Sequence, residues 1–110
     1  MKNLMGFTEE ELVLLSLAAP LFTVTSEEGS NICNLKVEPW EGQMYEIVVK
    51  KMKKHFEVEV LINDEIIEKF DYLSFGELLR LVRSLDNQFF EFFTESFDEE
   101  DSEQTSEYLA

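Results

Sequence analysis

The chain has little of what most protein chemistry is built from. It contains one cysteine, one histidine, four glycines and two prolines in 110 residues. With Cys33 alone, no internal disulfide can form, and such cysteine usage fits a reducing, cytoplasmic setting. With His55 alone, no histidine-based metal cluster is expected. The glycines stand far apart, so no glycine-rich loop can cradle a phosphate. The most apolar run, residues 12–22, is too short to span a bilayer, and Glu9, Glu10 and Glu11 precede it where a signal peptide carries positive charge. A soluble protein without a membrane partner is expected.

Positive charge is also scarce. Nine Lys and Arg stand against 24 Asp and Glu, a net charge of −15. Such a balance repels nucleic acid and anionic membranes, so direct nucleic-acid binding is not expected. The excess is one-sided: residues 1–54 hold six Lys and eight Glu, whereas residues 55–110 hold sixteen acids and three bases. From Asp86 onward there are nine acids and no base. What the chain does have is apolar mass. It is 45% hydrophobic and 13% aromatic, with ten Phe, which is too apolar for a disordered chain. Its length suits one domain with one core.

The pattern predicts an α+β domain over residues 1–97. It comprises an N-terminal helix, a four- to five-stranded antiparallel β-meander, and a long C-terminal helix packed on the sheet. Thr8 and Glu11 form a capping box, Phe7 and Leu12 a hydrophobic staple, and Pro20 stops the helix near Ala19. The apolar residues of this helix spread around it, so it is expected to be largely buried. Alternation then marks strands over residues 22–25, 33–37, 45–49, 56–62 and 65–71, with Pro39 breaking the second and Ile66 and Phe70 facing inward on the last. Ser74 and Glu77 form a second capping box, and Leu73 and Leu78 a second staple. Phe75, Leu78, Val82, Leu85, Phe89 and Phe92 then recur at helical spacing, which predicts a stripe against the sheet. Asp86 and Asn87 leave open whether this is one helix or two. Beyond it, residues 98–110 read as a flexible acidic tail.

No catalytic constellation emerges, and no enzyme, cofactor or metal is expected. His55 reads as a solvated turn residue beside Lys53 and Lys54. Cys33, in phase with Leu35 and Val37, reads as a buried, inert thiol. Lys50, Lys51, Lys53 and Lys54 read as a charged hairpin end that discourages edge pairing. The acids of residues 98–103 lack the ligand spacing and central glycine of a calcium loop.

Two surface features carry the functional expectation. Glu77, Glu91, Glu95 and Asp98 lie on the outer side of the last helix, followed by Glu99, Glu100 and Asp101. Carboxylates one turn apart are about 5–6 Å from each other, and a DNA strand carries a phosphate every ~3.4 Å of axis. Such a row imitates a nucleic-acid backbone in charge. The expected function is therefore a non-enzymatic inhibitor whose acidic surface occupies the basic, nucleic-acid-binding surface of a partner protein. The parallel with small acidic DNA mimics, such as phage anti-CRISPR and anti-restriction proteins, is one of charge and size only. The alternative expectation rests on Phe90, Phe93 and Phe97: a homodimeric adaptor or secretion-type chaperone that holds its partner through an aromatic helix face.

Overall fold

The computed structural model describes residues 6–109, with side chains through Glu95. Helix α1 (Glu9–Ala18) begins where the capping box predicts: the Glu11 N–H donates to Thr8 Oγ1 at 3.1 Å and the Thr8 N–H donates to Glu11 Oε1 at 2.9 Å. Each satisfied amide removes one of the orphan donors of the first turn. Ala19 ends the helix, its N–H still bonded to the Leu15 carbonyl, and Pro20 prevents a further turn.

Five strands follow, β1 (Thr23–Thr25), β2 (Ile32–Trp40), β3 (Gln43–Lys51), β4 (Phe56–Ile62) and β5 (Glu65–Leu73). They form one open sheet in sequence order, every neighbouring pair antiparallel. The β4–β5 turn is a two-residue hairpin with Asn63 and Asp64 at φ 51° and 71°. Two successive positive φ values are what the right-handed twist of a tight hairpin requires, and Asn and Asp tolerate them better than other side chains.

One face of the sheet is dry. Cys33, Leu35, Tyr45, Ile47, Val49, Phe56, Val58 and Val60 are buried there beneath Leu15, Ala19 and Phe22 and beneath Leu78, Val82, Leu85 and Phe93. Each fully buried aliphatic side chain contributes about 1.5–3 kcal/mol relative to exposure, and together they offset the self-repulsion of so acidic a chain. The other face is polar, with Asn34 donating to Glu46 at 2.6 Å and Lys50 paired with Glu59 at 3.4 Å.

The last element, α2 (Phe75–Leu109), is continuous through Asp86 and Asn87. Its start carries the second capping box, the Glu77 N–H donating to Ser74 Oγ and the Ser74 N–H to Glu77 Oε1. Both helices start at the end of the sheet formed by the β3–β4 connection, where Phe56 packs on Phe7 and Phe75 with centroids 6.3 and 5.6 Å away. The polar character of Asp86 does not break the helix because its carboxylate has a partner: Oδ1 accepts from the Leu21 N–H. Among the described residues, no helix is long and apolar enough to cross a membrane.

Three expectations are corrected. Pro39 does not break β2; the strand runs on to Trp40 across a register shift between Val37 and Trp40, where the missing N–H is tolerated. Ile66 does not face inward and is 47% exposed. The two-residue turn sets Ile66 opposite Leu61 on the outer face; Val60 then pairs with Glu68, so Ile67 is an extra residue, and the bulge shifts the phase so that Phe70 comes opposite Val58 on the inner face. Helix α1 is not largely buried. It lies at the margin of the helical layer with only Leu15 fully covered, leaving Val13, Leu14 and Leu17 at 55%, 42% and 67% exposure.

Candidate partner-binding surface

The candidate surface lies on α2 at residues 89–95. The inward side of this helix is fixed by Leu78, Val82, Leu85 and Phe93, all buried. The stripe therefore advances by four residues from Phe89 to Phe93, not by three to Phe92. A pattern of alternating threes and fours averages 3.5 and drifts about 20° per heptad on a straight helix, and a longer step restores alignment. Phe92, expected to face the sheet, is consequently 50% exposed on one flank.

Phe93 is a core residue of its own chain. Its ring meets Trp40 edge-on at 5.8 Å, Tyr45 at 5.5 Å and Phe89 at 6.2 Å. It is not free to anchor a partner in this fold. Phe90 is, at 53% exposure. The chain leaving α1 is tied to Asp86 through the Leu21 N–H and then dives into the core at Phe22. Cover on that side of α2 thus ends one turn before Phe90. Phe97 lies outside the described side chains.

The other half-exposed aromatics sit on the Phe93 ring. Trp40, at the tip of the β2–β3 hairpin, is 43% exposed, and Phe92 stacks edge-on to Phe93 at 6.0 Å. Beside Phe92 a shallow cleft of about 290 Å³ opens between α2 and the sheet, lined by Tyr45, Ile62, Gln88 and Phe89. The bulged end of the hairpin brings Trp40 to lean on α2.

The acids stand on the remaining side. At 100° per residue, Glu77, Glu91 and Glu95 fall within about 40° of one another and away from the buried stripe. All three are exposed. Glu77 is partly engaged in its capping box, whereas among the described residues no cation pairs with Glu91 or Glu95. Asp98, Glu99, Glu100 and Asp101 lie outside the described side chains.

Other sequence candidates resolve structurally. Cys33 is fully buried, and burial pushes its thiol up to about 12, which removes the thiolate needed for nucleophilic attack. Of the four hairpin lysines, Lys50 pairs with Glu59 and Lys51 with Glu11, leaving only Lys53 and Lys54 exposed at the tip. A feature missed by sequence reasoning is the meeting of His55 with Glu57 and Asp71 at the far end of β3 from Trp40. Asp71 is brought there by a bulge in β5, for which the sequence offers no signal. No protein-family model matches the chain, and neither a curated protein nor a solved structure matches it.

Proposed function

We propose that the protein acts by binding rather than by catalysis, and that the outer side of α2 around residues 90–95 is the surface it presents. The reading rests on one observation: Glu91 and Glu95 are exposed, unpaired with any cation among the described residues, and flanked by the half-exposed rings of Phe90 and Phe92. A row of carboxylates with aromatic flanks fits a partner that is basic and has apolar recesses. Protein surfaces that hold DNA or RNA have that character, because they place cations along a phosphate path and stack apolar side chains beside it. The protein would occupy such a surface and exclude its nucleic acid. The acids that follow in sequence, from Asp98 to Asp101, extend the same charge.

Affinity capture from lysate, washed at low and at high salt, tests this. A captured nucleic-acid-binding protein that is released by salt and displaced by DNA or RNA supports it. Capture unaffected in Glu91→Lys/Glu95→Lys, or a salt-resistant partner with no nucleic-acid role, overturns it.

A second reading draws on Val13, Leu14 and Leu17, which leave an apolar strip on α1. It favours the homodimeric adaptor. In that case Leu17→Glu yields a smaller particle in sedimentation, while the α2 charge reversals do not.

A further inference from the structure

We propose that His55, Glu57 and Asp71 form a binding site for a divalent transition-metal ion of the zinc type. His55 Nε2 lies 3.4 Å from Glu57 Oε2 and 3.4 Å from Asp71 Oδ1, and all three donor atoms fall within 4.8 Å of one another. An ion held tetrahedrally at about 2.0–2.1 Å from nitrogen and oxygen separates its donors by roughly 3.3–3.4 Å. Both edges that run from the imidazole match that separation.

Ion pairing alone explains the arrangement poorly. The same ring nitrogen faces both carboxylates, and it can carry only one proton. Charge-assisted N–H···O bonds are about 2.7–2.9 Å long, shorter than either contact. A cation between the three groups satisfies both carboxylates and the nitrogen lone pair together. The set of one nitrogen and two oxygens suits zinc and its neighbours. It does not suit calcium, which takes six or more oxygen ligands. Three protein ligands leave a fourth position open to water or to a partner's side chain.

The backbone is shaped around this meeting. Phe56 pairs with Leu73 and Val58 with Phe70, so Asp71 and Tyr72 together stand opposite Glu57. This second bulge in β5 turns Asp71 toward His55. It requires Tyr72 to adopt φ 57°, a left-handed conformation that is unfavourable for a non-glycine residue. In that conformation the Tyr72 N–H donates to Asp71 Oδ1 at 2.7 Å, and its ring covers the imidazole with centroids 4.6 Å apart. Both contacts orient ligands, as outer partners do at metal sites. The three ligands come from two paired strands: Glu57 lies on β4 and Asp71 on β5, with His55 one residue ahead of β4.

The test uses the full chain, titrated with Co²⁺ as a visible-absorption probe and then with Zn²⁺ as competitor. The expected result is one equivalent of Co²⁺ with a tetrahedral-type absorption band, displaced by Zn²⁺ but not by excess Ca²⁺. His55→Gln and Asp71→Asn are each expected to weaken binding at least tenfold, with far-UV circular dichroism unchanged. Glu99→Gln/Glu100→Gln is expected to leave it intact. Absence of binding at millimolar Zn²⁺, displacement by equal Ca²⁺, or undiminished binding in His55→Gln overturns the proposal; loss in Glu99→Gln/Glu100→Gln would assign the ion to the acidic segment instead.

Discussion

Asp86 Oδ1 accepts a hydrogen bond from the Leu21 backbone N–H at 3.0 Å, joining two positions 65 residues apart. Asp86 is itself only 4% exposed. The bond closes the exit of α1 onto the middle of α2. Removing the acceptor leaves a part-buried amide without a partner, which costs about 1–3 kcal/mol. Asp86→Ala is expected to lose that much in urea denaturation. Asp86→Asn, which keeps the carbonyl oxygen, is expected to recover most of it.

Lys51 Nζ meets Glu11 Oε1 at 2.9 Å and the Gly6 carbonyl at 3.0 Å, pinning the start of α1 to the sheet. Burial alone would raise the Glu11 pKa, but the Lys51 ammonium and the Thr8 donors outweigh it and hold the carboxyl below its ordinary 4.5. A lowered folded pKa stabilises the fold above the unfolded value, and that contribution is lost as pH falls through the folded value. Lys51→Met is therefore expected to lower stability by about 1 kcal/mol at neutral pH. The gap between variant and parent should narrow below pH 4.5, measured by thermal melts across pH.

Cys33 should behave as a hydrophobe. At pH 8 the folded protein is expected to resist iodoacetamide, and urea-unfolded protein to react at once, followed by mass spectrometry. Rapid labelling of the folded chain would contradict the burial and the raised pKa of this thiol.

Phe90 and Phe93 are expected to separate binding from folding. Phe93→Ala removes a buried ring and should cost about 3–5 kcal/mol. Phe90→Ser changes an exposed residue and should stay within about 0.5 kcal/mol of the parent. Under the proposed function, only Phe90→Ser weakens partner capture while leaving the melting curve in place.

Much of the fold was legible because its signals are local. The capping boxes Thr8–Glu11 and Ser74–Glu77 set both helix starts, and the alternation of Phe56, Val58 and Val60 set the face of β4. What the sequence hid depends on the pairing of distant strands. The bulge at Ile67 puts Ile66 and Phe70 on opposite faces, the one at Tyr72 aims Asp71, and neither position holds the glycine that would have announced it. Helical drift favours a step of four to Phe93 but leaves Phe92 close to the same face, and the rings of Trp40 and Tyr45 that receive Phe93 come from distant strands. At the candidate surface, the exposure of Glu91, Glu95 and Phe90 followed from helical spacing. The openness of α1 did not, because a short helix with apolar residues all round does not reveal which side will be covered.

The continuity of α2 has a consequence for how the molecule can change over time. Its buried stripe and its acidic row share one rigid backbone but face different ways. Substitutions at Glu91 or Glu95 therefore alter the charge offered to a neighbour with little penalty to the core. Under the proposed function, specificity at this surface could therefore change from one target to another while the scaffold that displays it stays the same.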